Sequence, residues 1–584
     1  MRKYFSLITP YFDNRFFTIY LPILIMLGAA TVYYGLVLLY NVNAPVSDDF
    51  GIAFLFMNEY VDQFLLMEKL RVLFSQHAEH RLMVPHLMVL LDYYIEGHVN
   101  FYSLGIIGNL GLIGILWIFY KAIGEMKYKI LFFCPVVLLV LQIQHWEIIP
   151  FPTALIQGFF VILFAFLSLY LLEKEKKAAV AMAFIAFFLA TFTSGSGMMV
   201  FLPGVLILIV RKRFKTLGVW ILFGVTTIYF YFYHYSYTNT EKPLDLITNH
   251  TVDLAMRFFA AVGGFINFAK GWEEPGWGFQ ASIASGIILS CLFLFFTYKK
   301  FYLRSPVLYG FLLFLLICCA TLSISRSVQY TPSQLSAVSR YKILSVCIVV
   351  TSYLILLDLL KGKIRPFWSV LLIYIGLRYN AFAYEADIDM LMLHSDGTVE
   401  SSWAIFQNND YSQIKDWNPE MSARALKEAE SKDIFKLPDL RDEYILRTPL
   451  SPGVSDEFNS WNNVANADST VIHKFEVLTS SNGDRFAIRK GWALRKGAST
   501  RRNFFVFRSA TRTYFFITHT NWRSDVSESI HAQDSNDKIN YDECGFNVGI
   551  SSKQLEKGEY ELGVVVQSWD GSSFYIPANK KIVI

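Results

Sequence analysis

The chain has 584 residues, of which 54% are hydrophobic and only 17% carry a charged side chain. Soluble proteins carry about 25% charged residues, so this composition excludes a wholly soluble fold. The formal net charge of +4 singles out no particular partner, and we expect no nucleic acid among the partners.

Apolar runs alternate with short charged loops over the first two thirds of the chain. A bilayer core of about 30 Å needs roughly 20 apolar residues in each crossing helix. About eleven runs approach that length, and they predict a polytopic α-helical membrane body over residues 1–385. The predicted spans are 16–40, 101–120, 130–149, 153–172, 178–193, 198–210, 216–235, 279–297, 305–324, 343–360 and 366–384.

Basic residues on every second connection predict the orientation of this body, because Lys and Arg concentrate on the cytoplasmic side of membrane proteins. The basic clusters lie near residues 2–15, 121–129, 174–177, 211–215, 299–304 and 361–365. We therefore predict a multi-pass protein with a cytoplasmic N-terminus and long outside loops at 41–100 and 236–278. Interfacial helices are expected in these loops at 51–74, 82–96 and 252–270.

The first outside loop places Asp48 and Asp49 side by side, a few residues after the first span. Adjacent carboxylates at a membrane surface are costly unless they are solvated, paired or bound to a cation. One of them is therefore a candidate general base, while the other orients it or holds a metal ion. The alternative is capping of a helix that begins near Gly51, because Asp is a favoured N-cap residue.

The same loop continues with a cluster of acidic, basic and cationic side chains. Its members are His77, Glu79, His80 and Arg81. We expect Glu79 to converge with Asp48 and Asp49 if the loop folds over the helices. His77 and His80, three residues apart, are candidate metal ligands, although this spacing is not diagnostic. The charged start of a helix is the alternative interpretation of the cluster.

Two shorter outside turns carry candidate binding groups. Trp146 and Glu147 lie at the end of a predicted span, where an indole can stack on a sugar ring and a carboxylate can accept from its hydroxyls. The alternative for Trp146 is a place in the interfacial aromatic belt. The turn 193–197 reads Thr-Ser-Gly-Ser-Gly, which suits either a phosphate-binding backbone or a tight helical hairpin.

The outside loop 325–342 contains Arg326 and ends in Arg340-Tyr341-Lys342. Cations at the outer mouth of a span run against the usual charge bias, so they predict an anionic partner. The planar guanidinium matches phosphate oxygens, which makes a lipid-linked phosphate the expected ligand of Arg340. Snorkelling of these side chains towards lipid headgroups is the alternative.

From about residue 386 the composition becomes that of a soluble domain. We predict a mixed connector over 386–465, with a helix at 419–432, and an extracytoplasmic, mostly-β sandwich domain over 466–584. The predicted strands are 471–477, 485–489, 504–507, 514–518 and 560–567. Three tryptophans of this domain are candidates for stacking on sugars, with a core position as the alternative: Trp492, Trp522 and Trp569.

Taken in order, several blocks of the membrane body resemble the GT-C class of membrane glycosyltransferases, and more narrowly a bacterial family assigned to that class. The blocks are SDDF at 47–50, HAEHRLMVPHL at 77–87, QHWE at 144–147 followed by IQGFF, TSGSGMMVFLPG at 193–204 and SRY at 339–341. The resemblance covers roughly residues 40–345. Four blocks of the outer domain resemble a β-rich module attached to bacterial glycan-modifying proteins. They are FAIRKGWAL, NWRSDV, CGFNVGI and LEKGEYELGVVV.

The resemblance implies a hexosyltransferase-like enzyme of the bacterial cytoplasmic (inner) membrane. Its donor is a polyprenyl-phosphate-linked sugar, and its acceptor is a cell-envelope glycan such as O-antigen or lipopolysaccharide, modified on the extracytoplasmic, periplasmic face. By this resemblance the catalytic residues are Asp48, Asp49 and Glu79, and the substrate-binding residues are His80, Arg81, Trp146, Glu147, Arg340 and Tyr341. Some enzymes of the class use a divalent metal ion and others do not, and no ligand set in this sequence decides between them.

Two other functions fit a polytopic envelope protein. An O-antigen polymerase or ligase also combines many spans with outside Arg and His residues, but an acidic pair directly after the first span is not expected of it. A non-enzymatic glycolipid transporter or flippase would favour charged residues deep in the spans and internal repeats. The spans here are nearly free of ionisable residues apart from end positions such as Asp358 and Arg378.

Overall fold

A computed structural model describes residues 14–236, 250–268, 276–360, 364–409, 411–414, 416, 418–455, 464–534 and 537–584. The chain divides into two compact units. The first comprises Met1–Ser401 and Asp410–Pro438, and the second comprises Ser402–Asn409 and Asp439–Ile584. The predicted connector is thus shared between the units. Several predicted features lie partly outside the described residues: the basic clusters near 2–15 and 361–365, the loop 236–278 with its helix 252–270, and the connector 386–465.

The first unit is a body of helices joined by short loops. In chain order they are α1 (Phe16–Tyr40), α2 (Phe56–Asp62), α3 (Leu66–Leu73), α4 (Met83–Glu96), α5 (Phe101–Ala122), α6 (Lys129–Val140), α7 (Pro152–Leu172), α8 (Lys177–Thr193), α9 (Phe201–Val210), α10 (Phe214–Phe232), α11 (Thr251–Val262), α12 (Trp277–Tyr298), α13 (Phe301–Arg304), α14 (Pro306–Ser325), α15 (Pro332–Ala337), α16 (Lys342–Leu359), α17 (Ile364–Asn408) and α18 (Pro419–Ser431). A π-helical turn, Phe50–Leu55, precedes α2, and a hairpin of β1 (Gln76–His77) and β2 (His80–Arg81) precedes α4.

Seven helices in the described part of the chain are long and apolar enough to cross a membrane. They are α1, α5, α7, α10, α12, α14 and a helix formed by Ser339–Leu359 that includes α16. Half or more of the most apolar window is buried in α5, α7, α14 and α16, whereas in α1, α10 and α12 only 17–22% is buried. The outer helices therefore present apolar side chains that no described part of the chain covers, as is typical of a membrane-embedded protein.

The predicted span 130–149 is helical only to Val140. The chain then forms a buried loop up to Phe151 with one 3₁₀ turn, Trp146–Ile148. The last carbonyls of a helix have no partner within it. Here the Asn380 amide donates to the carbonyl oxygens of Leu138 at 2.8 Å and Leu141 at 2.7 Å, so α6 can end inside the body. The predicted span 366–384 lies within the longer helix α17 and is not among the seven.

The second unit is β-rich. It contains α19 (Arg441–Leu446), α20 (Ser524–Gln533) and the strands β3 (Ala465–Asn466), β4 (Val471–Lys474), β5 (Leu478–Thr479), β6 (Arg485–Arg495), β7 (Thr500–Arg508), β8 (Thr513–Ile517), β9 (His519–Asn521), β10 (Gly545–Ser551), β11 (Glu559–Ser568) and β12 (Ser573–Val583). One sheet has the order β4-β6-β10-β9 with β5 beside β6, and the other has the order β3-β12-β11-β7-β8. Ile488 of the first sheet and Phe507 and Leu562 of the second share one core, as in a sandwich.

Candidate functional site

Asp49 is fully buried, at 0% exposure, and its carboxylate is occupied by neighbouring donors. One oxygen accepts from the Thr153 hydroxyl at 2.6 Å and from the Thr153 N–H at 3.1 Å, and the other accepts from the Val46 N–H at 2.9 Å. Burial raises the pKa of Asp49 to about 7, although these hydrogen bonds lower it. Asp49 thus ties the loop after α1 to the start of α7.

Asp48 lies in a different environment, half-buried rather than enclosed. Its backbone carbonyl accepts from Gly51 and Ile52, so the following π-helical turn starts on the main chain and no Asp side chain caps it. Burial lowers the pKa of the nearby His77, while the charges of Asp48 and Asp416 raise it. These three titratable side chains therefore interact in one neighbourhood.

His77 is held against the helical turn that follows Asp48. A Cβ atom added at Gly51 would overlap the imidazole Cε1, so the ring occupies space that only glycine leaves open. Its partner Asp416 belongs to residues 410–438, a segment that packs on the same turn and on α2 through α18. Asn58 of α2 donates to the Ala425 carbonyl at 3.0 Å, which fixes that packing.

Arg81 anchors the β1–β2 hairpin. Its guanidinium donates to the carbonyl oxygens of Phe74 at 2.7 Å, of Tyr231 at 2.6 Å and of Tyr233. The hydroxyl of Tyr235 donates to the Glu79 carbonyl at 2.9 Å. These contacts join the hairpin to the end of α10. The guanidinium of Arg81, which the resemblance predicts to bind substrate, therefore donates its hydrogen bonds to backbone carbonyls.

The opposite face of the hairpin meets two other loops. The Gly195 N–H, in the predicted glycine-rich turn, donates to Nδ1 of His80 at 3.4 Å. The Glu79 carboxylate pairs with the Arg326 guanidinium at 3.1 Å. Burial lowers the pKa of His80 to about 4, and the positive charge of Arg326 adds to this effect. His80 is therefore neutral at physiological pH.

The remaining predicted residues form a second group around Arg340. Its Nε lies 3.8 Å from the Glu147 carboxylate, and its Nη2 donates to the Tyr330 hydroxyl at 2.8 Å. The guanidinium carbon lies 5.5 Å from the centre of the Tyr341 ring. Trp146 packs edge-on against His394, with 6.0 Å between ring centroids. The Nε atom of Arg340 is buried with no hydrogen-bond partner in the described part of the chain.

One loop, residues 326–341, joins the two groups. It supplies Arg326 to Glu79 and Arg340 to Glu147. Between them, Tyr330 accepts from Arg257 through its carbonyl and from Arg340 through its hydroxyl. All the predicted site residues thus lie on loops that meet at one end of the helical body, in two groups bridged by this loop.

Three residues of the site are not among the catalytic and substrate-binding residues that the resemblance implies: His77, Arg326 and Asp416. His77 and Arg326 lie in motifs that the sequence singles out, but their partners Asp48 and Glu79 are apparent only from contacts. Asp416 lies in the predicted connector and carries no local signal. Within the described ranges, no group of three His, Cys, Asp or Glu residues is arranged to hold a metal ion.

The fold defines a class: a membrane-embedded helical protein with a β-rich C-terminal unit and a polar site where several loops meet. Comparison of the chain with protein families, with curated proteins and with solved structures finds no match. The function is therefore inferred from the residues of the site and from the chemistry they can perform.

Proposed function

We propose that this protein is a GT-C-type glycosyltransferase that moves a sugar from a polyprenyl-phosphate donor to a cell-envelope glycan. The observation that carries this proposal is the contrast between the two aspartates. Asp49 is occupied by three hydrogen bonds, whereas Asp48 is half-buried and lies in the electrostatic field of His77. Asp48 is therefore the better candidate for the base, and Asp49 for a residue that positions it.

In the proposed reaction Asp48 accepts the proton of an acceptor hydroxyl as that oxygen attacks the anomeric carbon of the donor sugar. The bond from this carbon to the phosphate oxygen breaks, and the electron pair leaves with the polyprenyl phosphate. A single displacement of this kind inverts the anomeric centre and needs no protein nucleophile. Arg326 and Arg340 are placed on one loop where they can stabilise the negative charge of the departing phosphate.

The proposal includes the arrangement in the membrane. We place about eleven spans in the bacterial inner membrane, with a cytoplasmic N-terminus and with the site and the β-rich unit on the periplasmic side. Two observations support this sidedness. The candidate residues gather at one end of the helical body, and the basic loops near Lys121, Lys174 and Lys299 lie at the opposite ends of their helices. A membrane-bound donor would then reach the site from the outer leaflet.

The test is a comparison of envelope glycan composition, by mass spectrometry, in cells carrying the wild type or one variant. Asp48→Asn is expected to reduce transfer by about 100-fold or more, as for loss of a general base. Asp49→Asn is expected to reduce transfer less than Asp48→Asn, because the Asp49 carboxylate holds its loop in place and does not take the proton. Glu125→Gln changes an exposed acid on a basic loop and serves as the control. A wild-type glycan from normally expressed Asp48→Asn protein would disprove the proposed base.

An O-antigen polymerase or ligase is the second candidate function. Arg326, His80 and His77 lie close together, which favours this function. Cationic side chains and imidazoles can bind a lipid-linked diphosphate and promote its reaction without a carboxylate base. The two functions differ in their product. A loss of glycan chain length in Arg326→Ala cells, with sugar composition intact and Asp48→Asn still active, would favour the polymerase or ligase.

A further inference from the structure

Two tryptophans of the β-rich unit are strongly exposed: Trp522 at 70% and Trp569 at 67%. Isolated apolar side chains on a surface need no explanation, but the indole ring is the largest apolar side chain and is seldom left this open. In the same unit Trp492 is partly buried against the smaller core formed by Leu494, Tyr541 and their neighbours. The structure therefore has one of these tryptophans packed against a core and the other two exposed to solvent.

Strand register places the two exposed indoles at the same end of the sandwich. Trp569 follows Ser568 of β11, which pairs with Thr500 at the start of β7. Trp522 follows Asn521 of β9, which pairs with Gly545 at the start of β10. The Asn503 amide of β7 donates to the Cys544 carbonyl at 3.0 Å, so the start of β7 lies beside the start of β10.

Hydrogen bonds hold both tryptophan turns in place. Below Trp569, Arg495 donates to the Asp570 carboxylate at 2.8 Å and to the Ser572 hydroxyl at 2.9 Å. The backbone N–H of Trp569 donates to the Ser499 carbonyl at 3.1 Å. Next to Trp522, Arg523 forms two hydrogen bonds with Asp525, at 2.7 Å and 2.8 Å. Both indoles are therefore carried on ordered turns, and little entropy is lost when a ligand stacks on them.

The surroundings of the indoles are polar and cationic. The Arg501 guanidinium carbon lies 5.7 Å from the centre of the Trp569 ring, and Arg502, the next residue of β7, is also exposed. In residues 495–502, 520–525 and 568–573 the exposed side chains other than the indoles are polar or charged. A surface that inserts into lipid adds aliphatic side chains to its aromatics, and none is exposed in these segments.

We propose that this surface, formed by Trp522, Trp569, Arg501 and Arg502, binds an oligosaccharide that carries carboxylate groups. The C–H face of a pyranose ring stacks on an exposed indole, and the Arg fork pairs with a sugar carboxylate. The carboxylate is assigned because three exposed basic residues lie in these segments, Lys496, Arg501 and Arg502, whereas the acids Asp525 and Asp570 are each paired with an arginine. This binding does not depend on the transferase chemistry proposed above, and it needs no donor lipid.

The test is a titration of the full-length protein, in nanodiscs of zwitterionic lipid, with a uronic acid tetramer, tetragalacturonate, and with the neutral maltotetraose. We expect measurable binding of tetragalacturonate, at least fivefold tighter than of maltotetraose. Trp569→Ala and Arg501→Ala are each expected to weaken it by at least fivefold. Arg512→Ala is the matched control, because Arg512 is also exposed but lies beyond the opposite end of β7 and pairs with Glu556.

Several outcomes would overturn this assignment. One is the absence of tetragalacturonate binding by the wild type, and another is binding that the Trp569 and Arg501 variants leave unchanged. Equal affinity for maltotetraose would refute the carboxylate specificity. Loss of binding to anionic vesicles in these variants, with no effect of either sugar, would assign the surface to lipid. Because no transfer is measured, a failed Asp48→Asn experiment leaves the result of this titration intact.

Discussion

At the residue scale, two carboxylates adjacent in sequence have been given different environments by packing. Asp49 points into the body, where Thr153 and Val46 supply donors to both of its oxygens. Asp48 remains half-buried on the side of His77. Different surroundings of this kind are how proteins assign separate roles to two like groups.

The Asp49 contact predicts a pH-dependent effect of Thr153→Val. Loss of the hydroxyl donor at 2.6 Å is expected to cost about 1.5–3 kcal/mol when the carboxylate is ionised. The pKa of Asp49 is raised by burial to about 7, so the cost should be larger at pH 8 than at pH 5, where the group is protonated. Thermal unfolding of the purified protein at the two pH values measures it.

Thr191→Val is the matched control for this experiment. Thr191 is equally buried, but its hydroxyl donates to the Phe187 backbone carbonyl, which does not titrate in this range. Its effect on the melting temperature should be the same at pH 5 and pH 8. An equal pH dependence in the two variants would contradict the assignment of the effect to Asp49.

The half-buried imidazole of His80 predicts a loss of stability in mild acid. The pKa of His80 is lowered to about 4, chiefly by burial, whereas an unfolded histidine titrates near 6.5. Its contribution to stability is therefore fully present above about pH 6.5 and is lost as the pH falls towards 4. The difference in melting temperature between the wild type and His80→Gln should therefore become smaller as the pH is lowered from about 6.5 towards 4. Parallel pH profiles for the two proteins would count against this.

At the element scale, the short β1–β2 hairpin connects parts of the chain that are distant in sequence. It brings His77 to the turn after Asp48, His80 to Gly195 and Glu79 to Arg326. Arg81 fixes the hairpin to the end of α10. The hairpin is therefore the element that assembles the first group of the site, although it contains only four paired residues.

The packing of α11 on α12 depends on close backbone approach. A Cβ atom added at Gly286 of α12 would overlap the Phe259 carbonyl oxygen of α11, and backbone cannot move aside as a side chain can. Gly286→Ala is therefore expected to destabilise the protein by about 1–3 kcal/mol. Gly28→Ala is the control, because no heavy atom lies within 4 Å of the added carbon. Equal melting temperatures for the two variants would show that the helices can separate freely.

At the scale of the whole molecule, lysines at one end of the helical body stack on aromatic rings. Lys121 lies 5.8 Å from the Trp117 ring, Lys129 lies 4.2 Å from that of Tyr120, and Lys174 lies 4.3 Å from that of Tyr170. Aromatic belts and snorkelling lysines mark membrane interfaces. This pattern is typical of a membrane interface, and the charge distribution of the sequence predicts that this interface is the cytoplasmic one.

That orientation can be tested with a membrane-impermeant maleimide. Glu175 lies in an exposed loop between α7 and α8, and Lys557 is exposed in the β-rich unit. In spheroplasts we expect Lys557→Cys to be labelled, and Glu175→Cys only after the membrane is permeabilised. Labelling of the wild type measures the background from its six cysteines. The reverse pattern would invert the topology and move the candidate site to the cytoplasm.

Hydropathy and strand periodicity are local, so the sequence by itself determined that the chain has a membrane-embedded helical body and a β-rich C-terminal unit. Long apolar runs such as Pro152–Leu172 and Pro306–Ser325 became helices at nearly their predicted bounds. The run at 130–149 did not, because the amide of Asn380, far along the chain, donates hydrogen bonds to the carbonyl oxygens of Leu138 and Leu141 at the end of α6.

Only the tertiary structure decided how the candidate residues are distributed. It buried Asp49 on Thr153, brought Asp416 to His77, and paired Glu79 with Arg326 and Glu147 with Arg340. These pairings join segments from about one hundred to more than three hundred residues apart, and no local pattern encodes them. The residue types of a site can be read from motifs, but which carboxylate stays available depends on the side chains that packing brings around it.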